Sequence, residues 1–254
     1  MATNEIYAIV LSLLAAASAG IIGSFALMKK MTLAGDVISH VALPGLGLAF
    51  LFKINPIVGG TATLILGTIL IWSLEKETGL ATETTIGVIF AASVALGALI
   101  TPKEDLIDAL FGGFAATSLT GFIAGLLVVA LIIIFLFKFK NRLVISLFSP
   151  ELAAGSGINV NQVNLFYLLS FSLTVILGLQ FLGALLVGAL IIVPAAIGRQ
   201  LAHSFETFLI ASAAAGVISV TLGILVSTYF NLSLGPTIIC IASILFILSL
   251  IRKK

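Results

Sequence analysis

Nine apolar stretches, each close to the length that crosses a bilayer as a helix, follow one another through this chain with short polar joints between them. They occupy residues 5–28, 36–52, 56–74, 84–101, 119–137, 162–180, 182–198, 207–229 and 237–251. A spanning helix needs about 20 apolar residues, with a range of roughly 17–25, and in lipid a helix satisfies its own backbone groups within one segment. The pattern predicts an all-α, polytopic helical membrane protein of about nine transmembrane helices, forming one transmembrane domain over 1–254. Apolar residues make up 61% of the chain and charged residues 9%, against ~45–50% and ~25% in soluble domains. No soluble fold has room to hide so much apolar surface. Two boundaries are the least defined: Leu106 to Leu119 reads as a re-entrant or interfacial helix, and the joint at Gly178 to Phe181 leaves eight spans as the alternative count.

Cations set the expected orientation, because Lys and Arg near span ends favour the cytoplasm. With the N-terminus outside, Lys29, Lys30, Lys76, Lys138, Lys140, Arg142, Arg199, Arg252, Lys253 and Lys254 face inward, leaving Lys53 and Lys103 outside. That distribution predicts a cytoplasmic C-terminus and an odd number of crossings. Ala17-Ser18-Ala19 resembles a leader cleavage site, but the segment opens with Glu5 and stays apolar to Met28, which reads as a first span. The near-neutral balance of +2 argues against a nucleic-acid-binding surface, which needs many Lys and Arg side chains on one face. Cys240, the single cysteine, excludes an internal disulfide or a cysteine metal cluster.

Asp36 and His40 stand out in this setting. They lie four residues apart, on one helical face, inside an apolar stretch where an ionisable group costs at least ~2.5 kcal/mol by insertion scales. Counted at ~1.5 Å per residue from Lys30, they fall roughly 9 Å and 15 Å along a helix. A carboxylate oxygen with an imidazole nitrogen suits a borderline divalent cation such as manganese, zinc or ferrous iron. Two ligands are too few for a closed site, whereas a symmetric dimer supplies four. The competing reading is that the two side chains satisfy each other or the backbone. Pro44 and Gly45 follow closely and predict a kinked, pliant helix, as a gate would need.

Other residues carry weaker signals. Glu83 opens a span and reads as a helix-terminal carboxylate favoured by the dipole. Pro194 reads as a kink, and His203 as a solvated or docking residue without a metal-ligand neighbour. In Phe148 to Ile158, Ser149 is a candidate cap for a short helix with Pro150 at its first position and Gly155 or Gly157 ending it. The chain contains no phosphate-loop pattern, so ATP is not bound in that way.

Several ordered motifs resemble permeases of the bacterial ABC importers for manganese, zinc or iron, over nearly the whole length. They are Met31 to Gly45, with Asp36, His40 and Pro44-Gly45 in register; Thr85-Ile86-Gly87-Val88-Ile89-Phe90-Ala91; Ser149-Pro150-Glu151-Leu152-Ala153; and Phe181 to Val187 leading to Ile192-Val193-Pro194-Ala195-Ala196. The last also resembles the run before the coupling loop of vitamin B12 and siderophore importer permeases. Gly188 departs from the larger or hydroxylated residue expected there, a difference of packing.

The resemblance implies a homodimeric pore in the bacterial inner or plasma membrane, lipid-embedded and multi-pass. Its partners would be cytoplasmic ABC ATPase subunits and an extracellular or periplasmic metal-binding protein. The chain itself would be no enzyme and hold no tight cofactor, the metal ion being cargo. It selects Asp36 and His40 as pathway ligands. Coupling to the ATPase would fall on Arg199 to Glu206, including His203, with Ser149 to Gly157, including Pro150 and Glu151, as a second contact. Two other classes stay open: an ion-driven secondary transporter relaying protons through the carboxylate, and an intramembrane enzyme with His40 as base, which lacks a nucleophile-base-orienter set.

Overall fold

The computed structural model describes residues 2–31, 33–101, 117–182 and 184–251. Every regular element among the described residues is an α-helix: α1 Ala2–Met28, α2 Ala34–His40, α3 Leu43–Phe52, α4 Pro56–Thr78, α5 Thr82–Ile100, α6 Leu119–Phe148, α7 Pro150–Gly155, α8 Val160–Leu182, α9 Ala184–Leu201, α10 Phe205–Phe230 and α11 Leu234–Ile251. The protein is a polytopic helical membrane protein. Eight described stretches are long and apolar enough to span, α2 and α3 counting together as Ala34–Phe52. Most of the stretch Leu106 to Leu119, with Lys103 and the Arg252-Lys253-Lys254 cluster, lies outside the described residues.

The remaining expected segment, 182–198, forms α9, within which Val187–Leu201 is a shorter apolar helix. The joint expected at Gly178 to Phe181 is helical instead, since α8 continues to Leu182. A Cβ on Gly178 would lie 2.8 Å from Val187 Cγ2. Nine residues along one straight helix would separate them by about 13 Å, so α9 doubles back on α8 as a separate element.

Two other joints are shorter than the charge pattern predicts. Lys138, Lys140 and Arg142 lie within α6, which ends only at Phe148, and Arg199 lies in the last turn of α9. Polar residues leave the apolar layer without ending a helix, because the backbone bonds are internal to it. The stop comes at Ser149-Pro150, where the proline disfavours helical geometry at the preceding residue and Ser149 adopts φ −151°, ψ 87°. Ser149 then caps α7, its Oγ accepting from Leu152 N at 3.4 Å.

Helix α1 is the hub, packing against α6, α8, α9 and α10. Its buried Leu11, Ala15, Ala19, Ile22 and Phe25 recur at three- and four-residue intervals. Buried hydroxyls bond within their own helices, as with Ser24 to Gly20 O at 2.9 Å and Ser212 to Phe208 O at 2.8 Å. Small polar side chains let membrane helices approach closely, and the buried Ser18 hydroxyl of α1 is one that does so without a hydrogen-bond partner among the described residues. Between α2 and α3 the chain stays in the helical region at Val41 and Ala42, with hydrogen bonds three residues back, Val41 N to Ile38 O at 3.0 Å and Ala42 N to Ser39 O at 3.3 Å. Pro44, at the second position of α3, has no N–H to return to the His40 carbonyl, and a turn at Val41-Ala42 separates α2 from α3.

Candidate metal site and coupling face

Helix α2 carries Asp36 in its first turn and His40 in its last. Lys29, Lys30 and Leu33 lie in turns, and the helix begins only at Ala34, so the pair sits closer to the α2 start than a count from Lys30 gives. His40 Nδ1 lies 2.8 Å from the main-chain oxygen of Asp36, and the Ser39 hydroxyl donates to the same oxygen at 2.6 Å. Among the described residues the Asp36 carboxylate makes no hydrogen bond or ion pair. The two side chains therefore do not satisfy each other. Asp36 is exposed on the protomer and His40 half-buried. Placement in the first turn of a helix favours an anion, yet an exposed carboxylate on a membrane-crossing segment calls for a cavity, a cation or a second subunit. Among the described residues no group of three or more His, Cys, Asp or Glu side chains is placed to hold a metal.

Neighbouring helices fix this segment. Gly188 of α9 faces Asp36 so closely that a Cβ there would lie 2.7 Å from Asp36 Cβ and nearer still to its Cα and N. The glycine that departed from the expected residue type is what permits α9 to pack on α2. From α5, Phe90 stands edge-to-face against His40, with ring centroids 5.5 Å apart at 81°. Gly45 meets Gly59 of α4, where a Cβ would lie 2.6 Å from the Gly59 carbonyl carbon. Gly45 is thus a packing contact between α3 and α4.

The expected coupling residues gather at one end of the bundle. Arg199, His203 and Ser204 line a cavity of about 450 Å³ with Met28, Phe148, Phe205 and Phe208. Phe148 immediately precedes the Ser149-Pro150 start of α7, so two sequence regions some fifty residues apart flank one depression. Glu206 is ion-paired with Lys140 of α6 at 2.7 Å. Pro150 and Glu151 are exposed in the first turn of α7. Pro150 also borders a second cavity, about 210 Å³, with Lys29, Glu75, Ser146, Asn164 and Tyr167.

A polar chain crosses that second cavity which the sequence did not disclose. Lys29 donates to Asn164 Oδ1, Asn164 Nδ2 to Glu75 Oε2 at 2.8 Å, and Thr82 Oγ1 to Glu75 Oε1 at 2.8 Å. Burial pulls the Lys29 ammonium below its usual pKa, with nearby Glu75 opposing. The chain ties the ends of α1, α4, α5 and α8 together. Its members are far apart in sequence and share no periodicity that could have announced them. Phe90 was visible only as part of the Thr85 to Ala91 motif.

A sequence model of the ABC 3 transport family matches residues 2–253. This chain belongs to that family. Among its relatives in the ABC 3 transport family, the high-affinity zinc uptake system membrane protein ZnuB of Haemophilus influenzae is 31% identical over 252 residues, covering 97% of this chain and 95% of that protein. The manganese transport system membrane protein MntC of Listeria monocytogenes is 29% identical over 234 residues, covering 91% and 84%. A chain of the solved structure of PsaBC from Streptococcus pneumoniae in complex with Fab superposes with a TM-score of 0.81 at 28% identity, covering 95% of this chain and 89% of that one. This ABC 3 family member is accordingly a multi-pass membrane permease of the ABC transporter class.

Proposed function

We propose that the chain is the transmembrane subunit of an ATP-driven importer of divalent transition-metal ions, manganese, zinc or iron. Two copies form the pathway, and each contributes Asp36 and His40. The observation that carries this reading is the Asp36 carboxylate, unpartnered among the described residues and exposed on the protomer one helical turn from His40. Relatives named for zinc uptake and manganese transport support the cargo class. Paired about a two-fold axis, the residues make an oxygen–nitrogen site without thiolate, firm enough to select a borderline cation and weak enough to release it. The metal is substrate, and the ATPase is a separate cytoplasmic subunit. An extracellular or periplasmic binding protein delivers the ion.

In this reading the end bearing Lys29, Lys76, Lys140 and Arg199 is cytoplasmic, with the N-terminus outside. Arg199, His203 and Glu206, with Pro150 and Glu151 of α7, form the face that follows the ATPase, and Pro44-Gly45 is where the pathway opens. The test is metal uptake by the permease reconstituted with its ATPase and binding protein. Asp36→Ala and His40→Ala each abolish ATP-dependent uptake while insertion and assembly persist. Normal uptake by both variants refutes the metal site. Uptake that proceeds without the ATPase and follows an imposed proton gradient replaces the reading with a secondary transporter.

A further inference from the structure

His40 holds its ring in one of two possible senses, and the structure shows which. A main-chain carbonyl only accepts, so the contact between His40 Nδ1 and Asp36 O at 2.8 Å places the proton on Nδ1 and leaves the lone pair of a neutral ring on Nε2. The same carbonyl accepts from Ser39 Oγ at 2.6 Å, and Gly188 closes on the Asp36 backbone from α9, so the acceptor is itself held in place. The other constraint comes from α5, where Phe90 packs edge-to-face on the imidazole at 5.5 Å and 81°. Turning the ring over would break the hydrogen bond, and the aromatic pair keeps the ring plane from tilting away from the carbonyl that makes it.

We propose that Phe90 is a positioning residue for the transported cation: with Nδ1 committed to the Asp36 carbonyl, its ring holds His40 so that Nε2 is the atom offered to the metal. The inference rests on the Asp36–His40 pathway reading and deepens it. Ligating histidines depend in this way on the group that takes their other N–H and on what orients the ring, and loss of such support weakens metal binding without removing a ligand. Phe90 touches no cargo. Its effect is on how often the His40 ring stands in the plane that keeps Nδ1 on the Asp36 carbonyl and Nε2 free, which bears on the metal concentration needed for half-maximal uptake more than on the maximal rate.

The experiment measures initial rates of uptake of manganese and of zinc by the reconstituted complex over a range of metal concentrations. Phe90→Ala should raise KM about 3- to 10-fold, the size of an aromatic pair's contribution, with a much smaller change in maximal rate, and Phe90→Tyr should restore KM. Where Phe90→Ala does not assemble, Phe90→Leu, which keeps apolar bulk without a ring, is read in its place. A second pair of variants reads the nitrogen itself. The amide of His40→Gln reaches the position of Nε2 and that of His40→Asn the position of Nδ1, so His40→Gln should retain more uptake than His40→Asn. An unchanged KM in the Phe90 variant, or more uptake by His40→Asn than by His40→Gln, overturns the positioning role while Asp36→Ala remains inactive. If both His40 variants are silent, the KM of the Phe90 variants decides. Wild-type uptake by Asp36→Ala instead overturns the metal pathway itself.

Discussion

Gly188→Ala tests how tightly the proposed ligand pair is built. The new Cβ would stand 2.7 Å from Asp36 Cβ and closer to its Cα and N, where carbon atoms in contact settle near 3.5–4.0 Å. Helices α2 and α9 would have to part by about 1 Å, because the obstruction is backbone and no side chain can swing aside. Overpacking of that kind costs about 1–3 kcal/mol. A shift of about 1 Å in a positioned group can lower a rate by ~10²-fold, so uptake should fall by more than the stability loss alone explains. The assay pairs thermal unfolding of the purified permease with ATP-dependent metal uptake by the reconstituted complex. Gly87→Ala on α5 is the control, since no atom lies within 4 Å of a Cβ built there. If Gly188→Ala unfolds at the same temperature and transports at the same rate as Gly87→Ala, the close α2–α9 approach does not hold the site and the reasoning fails.

Three further outcomes follow from the end of the bundle that carries α7. Lys29 has its pKa drawn below the usual 10.5, mainly by burial; between that lowered value and 10.5 the unfolded chain binds a proton the folded one does not, so its contribution to stability rises with pH across that window. Thermal midpoints measured on the alkaline side should climb accordingly, and the climb should be shallower in Lys29→Met; an identical slope in the variant refutes the assignment. At the expected coupling face, Arg199→Glu should depress stimulated ATPase activity and uptake together, with metal affinity preserved. Glu206→Lys should do the same but recover in the double variant with Lys140→Glu, since the swap re-forms the 2.7 Å pair; no recovery assigns Glu206 a contact with the partner instead.

The sequence by itself determined the helical class and the position of nearly every helix, because bilayer thickness and the backbone's demand for hydrogen bonds leave an apolar stretch of that length one conformation. It also singled out Asp36 and His40, since ionisable residues among apolar ones are conspicuous without any structure. It misplaced the joint at Gly178 to Phe181 and the start of the joint from Lys138 to Asn161 because local polarity and glycine mark where a helix can stop, while the stop is made by particular chemistry such as Ser149-Pro150. Only the tertiary structure decided what surrounds the pair. Gly188 against the Asp36 backbone, Phe90 on the His40 ring and the Lys29–Asn164–Glu75 chain join residues from different helices. Helix packing in lipid is set by shape and a few hydrogen bonds rather than by hydrophobicity, which is uniform along these segments and carries no record of which faces meet.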